Sequence, residues 1–262
     1  MTGGLRLRVL GSSPSVPRPG RACSSYLLRS AATSIVLDAG SGAVSALRTA
    51  MDYAALDAVI ITHMHADHFL DIIPLRYGLT YGPSLRSAPL PLWLPPGGSD
   101  VLQRVCAAFA REGGSDFLAG FDIREYDQST SLTVGEIGLR FARVRHYIDA
   151  FAVRAESGGA TLTYSGDSAP CDELVDLARD VDLLLCEAAL GTGVEDAPRG
   201  HLCAREAGEI ATAAGVRALA LTHYPAECAA EQLRAHAIGA FDGPVTIVDD
   251  GFEVALGGAC LL

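Results

Sequence analysis

The amino-acid sequence predicts an α/β protein in which two β-sheets pack together and are covered by helices. The first observation is that short apolar runs rich in β-branched residues recur along the chain, as in buried strands. The second is that helical stretches lie between these runs. The third is that the second half of the sequence has the same alternation of strands and helices as the first, so that the strands are numerous enough for two packed sheets.

The first half of the sequence alternates strands with helical stretches. A loop rich in glycine, proline and serine, Gly11–Arg21, separates the first two strands. A helix begins near Asp67, directly after the fourth strand. The predicted strands are Leu5–Leu10, Ser24–Leu28, Ser34–Asp38 and Ala58–Thr62, and the helix between the last two is Ala43–Met51.

The second half has the same alternation and ends in a predicted hairpin, Val245–Leu256, that turns at Asp250-Gly251. The other strands are Ile137–Val144, Phe151–Ala155, Thr161–Ser165, Val181–Cys186 and Ala218–Thr222, and the helices are Asp172–Ala178, Ala204–Ala214 and Ala226–His236. The stretch from about Tyr81 to Gly120 has the weakest pattern, which leaves a lid or a contact surface open for it. Because no linker or low-complexity tract interrupts the chain, we predict one domain over residues 1–262.

Composition excludes several classes of protein. The 262 residues are 49% hydrophobic and 19% charged, which is typical of a folded domain with a substantial core. No apolar run approaches a membrane span, and no signal peptide is expected. Seven scattered cysteines without a Cys-x-x-Cys pair indicate core residues in a reducing cytoplasm. A net charge of −11 argues against binding along a long nucleic acid.

The hexapeptide His63-Met64-His65-Ala66-Asp67-His68 contains three of the seven histidines. It lies on the turn from a predicted strand into a helix, where His63 and His65 converge on one metal ion. Asp67 and His68 then reach a second ion beside it. The alternative is an ordinary strand–helix turn with Asp67 as the helix cap, which explains the aspartate but not the three histidines.

Three further residues follow predicted strands and complete two ligand sets: His146, Asp167 and His223. A ligand just past a strand end is held by the sheet and points into the edge cleft. Each alone is equally compatible with a polar surface residue. Together they predict His63, His65 and His146 on one ion, Asp67, His68 and His223 on the other, and Asp167 bridging both. Two ions that share a water would deprotonate it near neutral pH. Nitrogen and oxygen ligands favour zinc, and also suit manganese, iron or cobalt.

The His-x-His-x-Asp-His motif, the later His146, Ser165-Gly166-Asp167 and Thr222-His223 resemble the ordered motifs of the metallo-β-lactamase superfamily. The resemblance runs from Val9 to about Asp249 and implies an αββα sandwich with two mixed sheets and the metals in a cleft at one edge. In the antibiotic-hydrolysing lactamases a thiolate stands where this chain has Asp167.

Within that superfamily the sequence resembles the ribonuclease Z branch. The segment around His146 lacks the His-Thr-Pro-Gly-His signature of lactonases and glyoxalase II-like members. The segments that resemble ribonuclease Z are Leu10–Pro17 with Arg21 and Ser24-Ser25, Ile35–Gly40, Cys186-Glu187-Ala188, Gly200-His201-Leu202 and Leu221-Thr222-His223.

The resemblance also implies catalytic roles beside the metals. Glu187 and His201 form a pair in which His201 protonates the leaving oxygen, and Asp67 joins them in the catalytic set. The alternative for His201, which we favour less, is a residue that only begins the following helix. We expect Asp38 to orient a ligand histidine or its loop, and the less favoured alternative is a plain turn aspartate. The Gly11–Arg21 loop offers four candidates for holding the non-reacting phosphate oxygens, or is simply solvated: Ser12, Ser13, Arg18 and Arg21.

One departure from ribonuclease Z bears on the substrate. Those enzymes carry a long arm that grips tRNA, commonly between the third and fourth motifs, whereas His146 and Asp167 are only 21 residues apart. We therefore expect a dinuclear phosphodiesterase that attacks small or cyclic nucleotide-type diesters through a metal-bridging hydroxide and binds tRNA poorly. The alternatives are a tRNA 3′-processing endoribonuclease without the arm, a carboxylic or sulfate ester hydrolase, and a non-catalytic metal-binding protein. Homodimers are implied by the resemblance alone.

Overall fold

The computed structural model describes residues 4–109, 118–193 and 198–257. These residues form two seven-stranded β-sheets with helices on their outer faces. The strands are β1 Arg6–Gly11, β2 Ser25–Arg29, β3 Ser34–Leu37, β4 Ala58–Ile60, β5 Leu90–Leu94, β6 Phe121–Glu125, β7 Ser131–Val134, β8 Ile137–Val144, β9 Ala150–Ser157, β10 Ala160–Tyr164, β11 Leu183–Glu187, β12 Leu219–Thr222, β13 Val245–Ile247 and β14 Glu253–Ala255.

Within the described ranges, seven α-helices connect the strands, and a short 3₁₀ turn at Tyr53–Ala55 follows the first of them. The α-helices are α1 Ala43–Ala50, α2 Ala66–Phe69, α3 Ile72–Tyr81, α4 Gly98–Ala107, α5 Asp172–Leu177, α6 Ala204–Ala214 and α7 Ala230–Ile238. No helix among the described residues is both long enough and apolar enough to cross a membrane.

Both sheets are mixed, and each is half antiparallel and half parallel. The first has the order β14-β1-β2-β3-β4-β5-β6, in which β14 to β3 pair antiparallel and β3 to β6 pair parallel. The second has the order β13-β12-β11-β10-β9-β8-β7, with parallel pairs from β13 to β10 and antiparallel pairs from β10 to β7. The predicted αββα sandwich with two mixed sheets is confirmed.

The sheets pack face to face through one hydrophobic core. Alternate residues of β1, such as Leu7 and Val9, point into it, as do Phe141 of β8 and Leu162 of β10, which are at most 4% exposed. This alternation follows from the two-residue period of a strand. Two further cores lie between each sheet and its own helices, so both faces of both sheets are largely covered.

The predicted hairpin Val245–Leu256 is wrong. Val245–Ile247 pairs with β12 in the second sheet, and Glu253–Ala255 pairs with β1 in the first. The turn at Asp250-Gly251 therefore carries the chain across the sandwich and does not fold it back on itself. Two short β-branched runs around an Asp-Gly step are compatible with a hairpin and also with a crossing between the sheets. The sequence does not show which neighbour each strand pairs with.

The segment from Tyr81 to Gly120 is also part of the core where it is described. Leu90–Leu94 pairs with β4 and β6, and α4 packs Leu102 and Cys106 against the first sheet. A lid or contact surface over this whole stretch is therefore excluded, and residues 110–117 lie outside the described part of the chain.

The parallel halves bring the carboxyl ends of strands from both sheets to one edge. Asp38 follows β3 and His63 follows β4 in the first sheet, whereas Asp167 follows β10 and His223 follows β12 in the second. Because neighbouring parallel strands end at the same edge, polar residues that are distant in sequence meet there.

Candidate metal centre

The seven residues predicted as metal ligands lie together at this shared edge. The nitrogen and oxygen atoms of His63, His65, His146 and Asp167 lie within 4.8 Å of one another. Those of Asp67, His68, His223 and Asp167 form a second group of the same size. The two groups share Asp167, which is the division that the motif spacing predicts.

In the first group the hydrogen bonds fix which ring nitrogens face inward. Nδ1 of His146 lies 2.6 Å from the carbonyl oxygen of Gly200, which can only accept, so Nδ1 carries the proton. The free Nε2 of His146 then lies 3.0 Å from Nδ1 of His65. Nε2 of His63 lies 3.6 Å from Oδ2 of Asp167. All three imidazoles therefore present a nitrogen to the same space.

Gly200 allows the close approach of its carbonyl to His146. A Cβ at this position would lie 2.6 Å from Nδ1 of His146 and 2.8 Å from the ring of Tyr147, so a side chain would displace one of them. Packing against His146 and Tyr147 therefore requires a glycine directly before His201.

The second group is more deeply buried. Nε2 of His68 lies 3.3 Å from Oδ2 of Asp167 and 3.5 Å from Oδ2 of Asp67. Nε2 of His223 lies 3.4 Å from Oδ2 of Asp167. Asp67, His68, Asp167 and His223 are each at most 7% exposed. Two carboxylates so far from water need a compensating positive charge.

Unpaired polar atoms show that these residues fit divalent metal. Among the described residues, His63 Nε2, Asp67 Oδ2, His68 Nε2 and Asp167 Oδ1 are buried without a hydrogen-bond partner. Buried polar atoms normally have a hydrogen-bond partner. A metal ion would coordinate these four unpaired atoms, which face one another. Burial also lowers the pKa of His146 and of His223 to about 4, which leaves both imidazoles neutral and able to coordinate.

Asp38 supports this arrangement from behind. Its Oδ2 accepts hydrogen bonds from Nδ1 of His68 at 2.7 Å, from the Tyr164 hydroxyl at 2.9 Å and from Oγ1 of Thr62 at 2.9 Å. Its Oδ1 accepts from the backbone N–H of Thr62 at 2.7 Å. The bond to His68 places the ring proton on Nδ1 and directs Nε2 toward the carboxylates. Asp38 thus contacts a candidate ligand in the way the sequence predicts.

Three of these supporting residues were not singled out from the sequence. Oγ1 of Thr62 lies 3.1 Å from Nδ1 of His63, and Oγ of Ser24 lies 2.8 Å from Nδ1 of His223. Tyr164 reaches Asp38 from the second sheet. The position of Thr62 directly before the histidine motif was an available signal, but Ser24 and Tyr164 are linked to the site only by sheet packing.

Asp38 and His223 share an uncommon backbone conformation. Their φ angles are 58° and 52°, in the left-handed region that side chains rarely adopt. The N–H of Asp38 donates to the carbonyl of Ile60 at 2.8 Å, and that of His223 donates to the carbonyl of Ser12 at 2.9 Å. Backbone strain of this kind is concentrated at functional sites, where the surrounding structure enforces it.

Glu187 and His201 form the predicted pair at the border of the cluster. Nδ1 of His201 donates to Oε1 of Glu187 at 2.8 Å and lies 3.9 Å from Oδ2 of Asp167. The backbone N–H groups of Ser168 and Ala189 also donate to the Glu187 carboxylate, which is completely buried. Burial alone would lower the pKa of His201, but the adjacent Glu187 carboxylate outweighs it and raises the pKa to about 9.

The four residues predicted to hold phosphate oxygens have a different role in the structure. Nη2 of Arg18 donates to Asp249 at 2.7 Å and to Oγ of Ser12 at 2.6 Å, and Nη2 of Arg21 lies 2.8 Å from Asp249. Oγ of Ser12 donates to Asp250 at 2.6 Å, and Oγ of Ser13 accepts from the N–H of Arg18. These contacts within the chain show that Ser12, Ser13 and Arg18 fix the loop beside His223, while the side chain of Arg21 is paired with Asp249 and stays 41% exposed.

Comparison with known proteins gives concordant matches over most of the chain. The family model described as Beta-lactamase superfamily domain matches residues 33–224. An uncharacterized protein of Mycobacterium tuberculosis is 39% identical, with 97% of this chain and 94% of that protein covered. A ribonuclease Z of Mycobacterium bovis is 29% identical, with 94% and 96% covered. The crystal structure of the metallo-β-lactamase fold protein YhfI from Bacillus subtilis superposes with a TM-score of 0.86 at 29% identity and covers 97% of this chain and all of its own.

The contacts of Asp38 predict that it controls metal affinity. In the Asp38→Asn variant an amide NH₂ faces three hydrogen-bond donors, so His68 loses its orienting partner. We expect metal affinity to fall by about 10- to 100-fold, the usual cost of losing such a partner. Competition with a chromophoric chelator measures this directly. The control is Asp57→Asn, which alters an exposed carboxylate bonded to the N–H of Ser34, and equal affinities in the two variants would contradict the assignment.

Proposed function

Because this chain belongs to the β-lactamase superfamily and has the metallo-β-lactamase fold, we propose that it is a dinuclear metal-dependent phosphodiesterase acting on small nucleotide-type diesters, cyclic nucleotides among them. Family membership supports a hydrolase. The observation that carries the finer assignment is the seven-residue ligand cluster with the Glu187–His201 pair at its border.

The metals in this proposal are two zinc ions. His63, His65 and His146 would hold one, Asp67, His68 and His223 would hold the other, and Asp167 would contact both. When bound, the ions would supply Lewis acidity toward the phosphate and an activated water as nucleophile. The chain provides nitrogen and oxygen ligands alone at this site, a set that suits zinc.

His201 is the proton donor in this proposal. Because its Nδ1–H is bonded to Glu187, the proton on Nε2 is the one available to the leaving oxygen. A raised pKa keeps the ring protonated at neutral pH. Phosphodiester cleavage releases an alkoxide that needs such a proton, whereas a hydrolysis with a good leaving group does not.

The region between His146 and Asp167 supports a small substrate. It consists of β9 and β10, joined by the two-residue turn Gly158-Gly159. Most of this stretch therefore belongs to one short hairpin, and no arm for gripping tRNA extends from it. The net charge of −11 also opposes binding of a polyanion.

A tRNA 3′-processing endoribonuclease is the second candidate. The observation that favours it is the similarity to a protein named ribonuclease Z over nearly the whole length of both chains. Both candidates use the same centre, so they differ in which substrate is bound and not in the chemistry.

The proposed metal count gives the first prediction for this function. Purified protein should contain two divalent ions per chain, and chelation should abolish activity. Asp167→Ala should lose metal as well as rate, because the carboxylate belongs to both ligand groups. Elemental analysis of the variant beside Asp242→Ala, which removes an exposed aspartate, measures the effect. Fully active protein with a single ion would overturn the dinuclear assignment.

His201→Ala should lower turnover of a cyclic nucleotide by roughly 100- to 10,000-fold, the usual scale for a lost general acid. Turnover of bis-p-nitrophenyl phosphate should fall much less, because p-nitrophenolate leaves without a proton. Steady-state rates on both substrates, with metal content determined in parallel, test this. The control is His236→Ala, which removes an exposed histidine of α7. Equal losses on both substrates, or loss of metal, would instead identify His201 as a ligand or structural residue.

A salt series separates the two candidate functions. The affinity for a substrate that is held through many phosphate contacts falls steeply as the salt concentration rises. A small diester needs few such contacts. The KM for a cyclic nucleotide should therefore change little between low and physiological salt, and a tRNA precursor should be cleaved poorly throughout. Efficient, site-specific removal of a tRNA 3′ trailer with little activity on the cyclic nucleotide would establish the endoribonuclease instead.

A further inference from the structure

A cavity of about 490 Å³ opens directly beside the candidate metal centre. His146 belongs both to the first ligand group and to the wall of this cavity. The remaining wall includes Tyr147, Pro170, Pro198, Arg145 and Arg199. Its size lies in the range of small-ligand sites, and His146 places it next to the candidate metal centre.

Tyr147 supplies an aromatic face to this cavity, which we call the Tyr147 cavity. Its ring centroid lies 5.1 Å from that of His146 and 5.9 Å from that of His201. Gly200 lies against the ring, since a Cβ there would come within 2.9 Å of it. The side of the ring away from this contact is open, and Tyr147 is 59% exposed. A large aromatic ring held beside a catalytic centre and left open to solvent is available for stacking.

The charged side chains in the described wall of the Tyr147 cavity are two arginines, although the chain as a whole is acidic. Arg145 has no hydrogen bond or ion pair from its side chain to any described residue. Arg199 is paired with Glu206 through Nη2, but its buried Nη1 has no partner among the described residues. No carboxylate lies in the described wall of the cavity. These features fit a ligand that carries both an aromatic group and a negative charge.

We propose that the Tyr147 cavity binds the nucleoside part of the substrate, with the base stacked on Tyr147 and Arg145 facing the anionic oxygens of the attached phosphate. This inference rests on the proposed phosphodiesterase function and assigns nucleoside recognition to a part of the chain that the sequence did not indicate. The Tyr147 cavity also takes the place of the loop with Arg18 and Arg21 as the candidate substrate-binding region. The guanidinium groups of these two arginines are paired with Asp249. The cavity selects nucleoside phosphodiesters over diesters without a base.

The test compares two cyclic phosphates that differ only in the base. 3′,5′-Cyclic AMP and the 3′,5′-cyclic phosphate of methyl riboside share the same reacting phosphate and leaving oxygens. Wild-type protein should have the higher kcat/KM on cyclic AMP. Tyr147→Ala should raise the KM for cyclic AMP by about tenfold, the scale of one lost base-stacking contact. Its kcat/KM on the base-free substrate and its metal content should stay within about twofold of wild type.

Two variants serve as controls. Tyr147→Phe keeps the aromatic face and should retain the preference for cyclic AMP, whereas Tyr81→Ala removes another exposed tyrosine, at the end of α3, and should behave as wild type. Equal losses on both cyclic phosphates in Tyr147→Ala, or no preference for the base in wild type, would overturn the proposal.

A binding measurement separates this inference from the proposed function. Calorimetry with AMP and with ribose 5-phosphate on metal-loaded protein requires no turnover. Tighter binding of AMP that Tyr147→Ala abolishes supports the Tyr147 cavity as a nucleoside site even if no phosphodiester is cleaved, an outcome that would defeat only the proposed function. Equal binding of the two monophosphates would defeat the nucleoside site while leaving phosphodiesterase activity intact.

Discussion

The burial of two carboxylates, Asp67 and Asp167, among imidazoles is the constraint on which the rest of the site depends. An ionised carboxylate without water is costly unless a cation or several donors compensate it. Oδ2 of Asp67 and Oδ1 of Asp167 have no hydrogen-bond partner among the described residues. Because burial lowers the pKa of His146 and of His223 to about 4, neither of these imidazoles supplies that positive charge. A divalent metal ion would satisfy these two carboxylate oxygens.

The surrounding structure serves to hold those groups in one orientation. Each ring that faces the cluster through Nε2 has its other nitrogen engaged: His68 with Asp38, His63 with Thr62, His146 with the Gly200 carbonyl and His223 with Ser24. His223 follows a strand of the second sheet whereas its partner Ser24 precedes a strand of the first, so the packing of the two sheets aligns this ligand. This dependence explains why the site lies at the edge where the parallel strands of both sheets end.

Loops on the two sides of the centre have different roles. On one side, Arg18 is locked between Asp249 and Tyr224 and supports the turn that carries His223. On the other side, Tyr147 is exposed and Arg145 is unpaired within the described structure. A preformed, internally satisfied loop stabilises the ligand geometry, whereas free aromatic and cationic groups are available for a substrate. The asymmetry is the physical basis for placing substrate recognition beside His146.

The sequence by itself determined the two-sheet architecture, most strands and the grouping of the seven candidate ligands, because strand periodicity and ligand spacing are local properties. Tertiary structure alone decided three matters. It placed Val245–Ile247 and Glu253–Ala255 in different sheets, it paired the loop arginines with Asp249, and it brought Ser24 and Tyr164 to the site. Each of these depends on which distant strands become neighbours. Such pairing is chosen by the packing of the whole sandwich, and no short stretch of sequence records it.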